Sequence, residues 1–131
     1  DIVGCRLRIS VNGVTDNLAA GNIAAYIDPV TGIITKAAVY SDITKSDCEI
    51  HPITGEKIVG LQIPYWKETI NLVKKIAVID HRNKSIGWDL AITSFGPDLI
   101  EGNREWCKLL YQLPAKQGLK HILESYKKQQ L

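Results

Sequence analysis

Apolar and polar residues alternate in the first third of the chain, a pattern that predicts β-strands joined by tight turns. Strands are expected over residues 2–11, 23–27 and 33–39. Asn12 and Gly13 form a turn signal after the first strand, and the Asp-Pro-Val-Thr-Gly sequence from Asp28 to Gly32 separates the other two. The second and third strands are therefore expected to form a β-hairpin.

Helical periodicity appears twice, after an irregular stretch at residues 40–60. In both places apolar side chains recur every three or four positions, which predicts amphipathic helices. The first helix is expected to begin after Pro64 and to end at residues 80–83. Its apolar stripe comprises Trp66, Ile70, Val73 and Ala77, and the stripe of the second helix comprises Leu119, Ile122, Leu123 and Tyr126. Residues 105–113 are ambiguous, and Pro114 interrupts the chain before the second helix.

Two short apolar runs flank a Ser-Phe-Gly-Pro turn between the two helices, which predicts a second hairpin. Glu101 and Asn103 are two positions apart, so they point to the same face of a strand. With a three-residue Ser-Phe-Gly loop, Thr93 pairs with Pro97 and Asp89 lies opposite Glu101. If the pairing shifts by two residues, Asp89 lies opposite Asn103 and diagonal to Glu101. Both registers place the two carboxylates and the amide on one face.

Directly opposed carboxylates repel each other across a β-ladder and cost stability. A chain keeps such a pair most readily when a cation or a shared proton lies between them. Asp89, Glu101 and Asn103 together offer an all-oxygen donor set that suits Mg²⁺ or Mn²⁺. The alternative is that these polar residues only mark the solvent-facing side of a half-buried hairpin.

The order of strands, helix, hairpin and helix predicts an α+β fold in which a mostly antiparallel sheet has helices packed on one face. The opposite face, which carries the polar hairpin residues, is then available to a ligand. At 131 residues the chain is expected to form a single domain over residues 1–131. Because it begins at Asp1 and contains no Met, we expect it to be a piece of a longer protein.

The charge, hydropathy and cysteine content of the chain limit the classes of binding partner and the cellular locations to be expected. A formal net charge of +2, with scattered basic residues, does not indicate binding of nucleic acid or of an anionic membrane. No long apolar segment or signal peptide is present, so membrane insertion and secretion are not expected. Cys5, Cys48 and Cys107 are widely spaced without a zinc pattern, which favours reduced thiols and a cytoplasmic location.

The residues of the second hairpin also carry a resemblance to a known family. The Gly-Trp-Asp, Gly-Pro and Glu-x-Asn sequences that end at Asp89, Pro97 and Asn103 resemble the C-terminal magnesium motif of ATP-grasp enzymes. Arg8 and the small-residue loop at 15–22 resemble that family's arginine strand and the asparagine loop after it. The Asp-Pro-x-Thr-Gly turn and the Leu-Gln-Ile-Pro-x-Trp sequence are similar to the sugar-transfer-associated branch, which is α-L-glutamate ligase-like and found with polysaccharide biosynthesis genes.

The resemblance implies the C-terminal subdomain of an ATP-grasp fold and an ATP-dependent ligase. In that family a carboxylate substrate attacks ATP to form an acylphosphate, and an amine, a thiol or another nucleophile then displaces phosphate. By motif match, Asp89, Glu101 and Asn103 hold Mg²⁺ (or Mn²⁺) on the phosphates of ATP. By the same resemblance, Arg8 is expected to contact the transferred phosphate or acylphosphate, and Asn17 is expected to bind phosphate or metal in the same pocket.

The resemblance also sets limits. The N-terminal parts of the family, with the lysines that clamp ATP, are expected to be missing, so this fragment alone should be inactive. Arg104, Glu105 and Trp106 follow Asn103 where relatives tend to have a small residue and Pro-Gly, so the acceptor side is expected to differ. Two alternatives are a catalytically inactive ATP-grasp-like interaction module and a structural hairpin in an unrelated α+β protein.

Overall fold

A computed structural model describes residues 1–79 and 81–128 of the chain. Its contacts divide the chain into two compact units, which are considered separately. Unit 1 comprises Asp1–Gln62 and Lys108–Leu131, and unit 2 comprises Ile63–Cys107. Both sheets in the described residues are antiparallel, and helices accompany them, which confirms the α+β class. The strands form two small sheets, whereas the sequence predicts one.

Unit 1 contains a three-stranded sheet in the order β1-β2-β3, formed by Cys5–Ile9, Ile23–Ile27 and Val39–Tyr40. The central strand β2 carries the most deeply buried residues of the sheet, because its small and β-branched side chains are covered on both faces. The fully buried set in this strand is Ile23, Ala24 and Ala25.

The predicted third strand is mostly absent as a continuous ladder. Ile34 makes an isolated bridge with Ile27, and Ala38 makes one with Cys48. Because the backbone partner changes along this segment, only Val39–Tyr40 remains in register with β2. The alternation of side chains at residues 33–39 predicts a strand, but a β-ladder also requires a single neighbouring strand that pairs along the whole segment.

The irregular stretch after β3 is held by a histidine to which the sequence assigned no role. His51 Nδ1 accepts hydrogen bonds from the backbone N–H groups of Ile53 (3.3 Å) and Thr54 (3.1 Å). Its Nε2 lies 2.8 Å from the carbonyl oxygen of Ser10. Since Nδ1 accepts hydrogen bonds, Nε2 carries the proton and donates a hydrogen bond to that carbonyl. This neutral tautomer ties a turn at residues 51–54 to the end of β1.

Two cations connect the C-terminal segment of unit 1 to its sheet. The Arg6 guanidinium lies over the rings of Tyr26 (4.7 Å) and Tyr111 (5.1 Å), and its Nε donates to the Tyr111 carbonyl at 2.9 Å. Lys36 Nζ donates to the Ala115 carbonyl at 2.7 Å. Burial lowers the pKa of Arg6 from its ordinary value, and the carbonyls and aromatic faces compensate the buried charge.

The segment that these cations hold is helical. The ambiguous stretch of the sequence forms α2 over Lys108–Gln112, followed by a 3₁₀ turn at Leu113–Ala115. The second predicted amphipathic helix is confirmed as α3 over Lys120–Lys128. Leu119, immediately before it, is buried, and its backbone N–H donates to Gln112 Oε1 at 3.1 Å. None of the helices in the described part of the chain is long and apolar enough to cross a membrane.

Unit 2 consists of α1 over Trp66–Ala77 and a hairpin of β4 (Gly87–Thr93) and β5 (Gly96–Asn103). The first predicted helix is therefore confirmed, and Asp80, expected near its end, lies outside the described residues. The Tyr65 hydroxyl donates to the Ser94 carbonyl at 2.9 Å, which tethers the start of the helix to the turn of the hairpin.

We predict that Cys5 is the slowest of the three cysteines to react with thiol reagents. Burial raises its pKa from 9.0 to about 11, so about one thiol in a thousand is ionised at pH 8. Its labelling rate should rise roughly tenfold per pH unit up to that pKa, measured by mass spectrometry of native protein. Cys107, which is exposed, is the internal reference, and comparable rates at pH 8 would contradict the prediction.

Candidate functional site

The β4–β5 hairpin has a shorter turn than the sequence predicts. Thr93 pairs with Gly96, so only Ser94 and Phe95 lie in the loop. The Thr93 hydroxyl donates to the Gly96 carbonyl at 2.8 Å, and its oxygen accepts from the Phe95 backbone N–H at 3.1 Å. Gly96 has φ 124°, a conformation that other residues rarely adopt. The predicted pairing of Thr93 with Pro97 is therefore wrong, because the glycine closes the ladder instead of extending the loop.

A β-bulge compensates for this difference. Ile92 to Leu90 pair regularly with Pro97 to Leu99, the next residue Ile100 has no partner, and the ladder resumes with Asp89 opposite Glu101. An extra residue on one strand shifts every later pair by one position. Asp89 therefore lies opposite Glu101, as in the first of the two registers considered above, and not opposite Asn103.

Four residues form one face at the open end of the hairpin. Asp89 and Gly87 are two apart on β4, and their partners are Glu101 and Asn103, so all four side-chain positions point the same way. Asn103 Nδ2 donates to Glu101 Oε1 at 3.0 Å. We call the set of Asp89, Glu101 and Asn103 the carboxylate face.

The chemistry of the carboxylate face fits a hard divalent cation. Two carboxylates and one amide oxygen give three oxygen donors, and Mg²⁺ accepts such a set when phosphate and water complete its octahedron. Within residues 1–79 and 81–128, no cluster of three or more carboxylate, imidazole or thiol groups is arranged to hold a metal. The face therefore suits a shared ion bound together with a phosphorylated ligand better than an all-protein cage.

Asp98 is a further acidic residue of β5 that sequence reasoning did not consider. It pairs with Ala91, which has the same parity as Asp89, so it lies on the same side of the hairpin. Its cross-strand neighbour is a methyl group, and the carboxylate of Asp89 is its diagonal neighbour. Asp98 is therefore a suitable comparison for Glu101, because it lies on the same strand and the same side of the hairpin but has no carboxylate directly opposite it.

The other two predicted site residues lie in unit 1. Arg8 is on β1, and its Nε forms an ion pair with Asp16 Oδ2 at 3.3 Å. About a third of its side chain is exposed, and such a pair orients the guanidinium more than it stabilises the fold. A guanidinium held in this way at the edge of a loop presents a planar donor suited to phosphate.

Asn17 begins the 3₁₀ turn Leu18–Ala20, where its Oδ1 accepts the Ala19 backbone N–H at 3.1 Å. This is the turn-stabilising role expected of an asparagine at such a position. The loop around it is held by the buried Asn22, which accepts from the Val11 N–H and donates to two carbonyls, those of Thr15 and Asn17. Since Oδ1 of Asn17 is used locally, its Nδ2 donors suit an anion better than a metal.

The comparisons with known proteins gave one match. The family model described as sugar-transfer associated ATP-grasp matches residues 1–128 of the chain. No curated protein and no solved structure matches it significantly.

We predict that Glu101→Gln stabilises the metal-free protein, because it removes the repulsion between opposed carboxylates. The melting temperature should rise by about 2 °C in EDTA at low salt, measured by differential scanning calorimetry. The matched variant Asp98→Asn, which relieves only a diagonal contact, should change it less. Equal shifts in the two variants would show that the Asp89–Glu101 opposition is not the cause.

Proposed function

Since the chain belongs to the sugar-transfer associated ATP-grasp family, we propose that it contributes the Mg-ATP-binding C-terminal part of an ATP-dependent carboxylate ligase. Proteins of the ATP-grasp family are typically ligases. In the proposed reaction a substrate carboxylate oxygen bonds to the γ-phosphorus of ATP while the bond to ADP breaks. An amine or a thiol then attacks the acyl carbon, phosphate leaves with the bonding electrons, and the nucleophile loses its proton.

The observation that carries the proposal is the opposition of Asp89 and Glu101 with Asn103 beside them. Opposed carboxylates repel each other in a ladder, and a divalent cation would turn that repulsion into shared coordination. When bound, Mg²⁺ would neutralise charge on the nucleotide phosphates during phosphoryl transfer. The three side chains would orient the ion, and the extended strands on which they lie keep their spacing constant.

We assign anion recognition in unit 1 to Arg8 and Asn17. The Asp16 carboxylate limits the orientations of the Arg8 guanidinium, which lowers the entropy lost when phosphate binds. Asn17 Nδ2 offers neutral donors at the start of the neighbouring loop. Each side chain offers donors suited to the phosphate or acylphosphate that the family's chemistry transfers.

The branch to which the family model belongs favours a role in cell-surface polysaccharide biosynthesis, with the reaction on the cytoplasmic side where ATP is available. ATP-grasp enzymes use lysines on further strands to clamp the nucleotide. The resemblance places none of these lysines in residues 1–131. We therefore expect residues 1–131 alone to bind Mg-nucleotide weakly and to hydrolyse none of it.

We predict that Mn²⁺ broadens NMR signals selectively at the open end of the hairpin. In ¹⁵N-labelled protein, backbone signals of Asp89, Glu101 and Asn103 should disappear first, and addition of a non-hydrolysable ATP analogue should strengthen the effect. Glu101→Gln should weaken Mn²⁺ binding by about tenfold or more.

Asp98→Asn is the matched control, since it removes one negative charge from the same strand, and it should retain the local broadening. Broadening that is diffuse and equal in wild type and Glu101→Gln would overturn the metal site. That result would favour the inactive interaction module over the ligase. Hydrolysis of ATP by pure residues 1–131 that disappears in Asp89→Asn would contradict the expected inactivity.

We also predict that acetyl phosphate, a small acylphosphate, shifts NMR signals of the loop at residues 13–21. Arg8→Gln should weaken this binding by about fivefold or more, because it removes the cationic donor. Asp16→Asn should weaken it less than Arg8→Gln, because the cationic donor remains although its orientation is no longer restricted. Unchanged affinity in Arg8→Gln would remove Arg8 from the proposed site without affecting the assignment of the hairpin.

A further inference from the structure

Two tryptophan side chains pack on glycines at neighbouring positions of the hairpin. Trp88 lies against Gly102, where an added Cβ would be 2.5 Å from the indole ring. Trp106 lies against Gly87, where an added Cβ would be 2.5 Å from the Trp106 Cβ. A side chain at either position would force its neighbour to shift: the start of the Trp106 side chain at Gly87, or the outer edge of the Trp88 ring at Gly102. The absence of a Cβ at both glycines therefore lets the two tryptophans lie this close.

The two contacts lie on opposite faces of the hairpin. Trp88 and Gly102 form one cross-strand pair, and Gly87 and Asn103 form the adjacent pair. Because neighbouring pairs point in opposite directions, Trp106 lies on the same side as Asn103, whereas Trp88 lies on the other side. Trp106 thus occupies the fourth corner of the patch whose other corners are the three residues of the carboxylate face.

The position of Trp106 is maintained by a hydrogen bond as well as by packing. Its Nε1 donates to Ser85 Oγ at 2.8 Å. Ser85 lies two residues before Gly87, so the indole is fastened across the start of β4. The atoms of Trp106 nearest Gly87 are its Cβ and Cγ, so the hydrogen bond to Ser85 is what fixes the orientation of the ring beyond them.

The side chain of Asn103 lies on the same side of the hairpin as Trp106. Directly opposite a bare glycine, an asparagine side chain would have open space across the strand pair. Trp106 lies at that glycine on the same side of the hairpin as Asn103, and the amide of Asn103 points along its own strand to Glu101, with Nδ2 3.0 Å from Oε1. Rotation of the amide about its last side-chain bond would exchange Nδ2 and Oδ1 at the same place. An oxygen donor would then lie beside the Glu101 carboxylate without movement of the rest of the side chain.

We propose that Trp106, fastened by Ser85, is a positioning residue that holds the Asn103 amide beside Glu101. The role rests on the proposed function in one respect, namely that Asn103 is a metal ligand. It means that the tryptophan after the Glu-x-Asn sequence contributes to cation affinity without touching the ion. An outer residue that orients a ligand typically changes metal affinity by about ten- to a hundredfold.

The test compares Trp106→Ala with Trp88→Ala. Trp88→Ala removes the ring that lies on Gly102, whereas Trp106→Ala removes the indole and its hydrogen bond but leaves the Cβ that lies against Gly87. Ser85→Ala is added because it removes only the hydrogen bond and leaves the packing in place. Two quantities are measured by NMR on residues 1–131: the Mn²⁺ affinity, and the side-chain NH₂ signals of Asn103 in metal-free protein.

We expect Trp106→Ala to weaken Mn²⁺ binding by about tenfold and Ser85→Ala to weaken it less, and both should shift and sharpen the Asn103 NH₂ signals. Trp88→Ala, after correction for any unfolded fraction, should leave both quantities near wild type. Equal losses in the two tryptophan variants would mean that only hairpin stability matters and would overturn the proposal.

The Asn103 signals separate the two hypotheses. If wild type binds no Mn²⁺ at the hairpin but Trp106→Ala still releases the Asn103 amide, the metal site fails and the positioning contact stands. If Mn²⁺ binds and depends on Glu101, but Trp106→Ala changes neither the affinity nor the Asn103 signals, the positioning role fails and the metal site stands.

Discussion

The chemistry of the hairpin depends on two carboxylates that the backbone holds opposite each other. The two-residue turn alone would pair Asp89 with Ile100, and the β-bulge at Ile100 restores the opposition with Glu101. Opposed negative charges in a ladder destabilise it by up to about 1 kcal/mol. The bulge thus produces a repulsion between carboxylates, and a bound cation would remove this repulsion by coordinating both of them.

Of the two registers that the sequence left open, the one that places Asp89 opposite Glu101 occurs, and it does so through two errors that cancel. The predicted hairpin had one residue too many in its turn and no bulge. Glycine serves equally as a loop residue and as the first residue of a strand with positive φ, so Gly96 could not distinguish the two turns. Ile100 has no compositional feature that marks it as the bulged residue. Periodicity did identify α1 and α3, because long amphipathic stripes depend little on distant partners.

Contacts between residues far apart in sequence were beyond sequence reasoning. His51 belongs to no motif of the sequence, yet both of its nitrogens are engaged, one by the carbonyl of Ser10. Trp106 appeared only as a departure from the usual residues of the motif, and its relation to Gly87 required the register of the hairpin. Arg8 and Asn17 were placed by resemblance, and their local partners, Asp16 and the Ala19 N–H, became visible only in the structure.

The contact of the Arg6 guanidinium with Tyr111 has a consequence for the order of folding. It joins β1 to a carbonyl 105 residues later, whereas every residue of unit 2 lies within one continuous stretch between them. Closing a long loop costs conformational entropy before its contacts form. During synthesis, unit 2 can complete its own contacts before the contacts of Arg6 and Lys36 with Tyr111 and Ala115 form in unit 1. A chain truncated shortly before Tyr111 would leave the Arg6 guanidinium without the carbonyl and ring that compensate its burial.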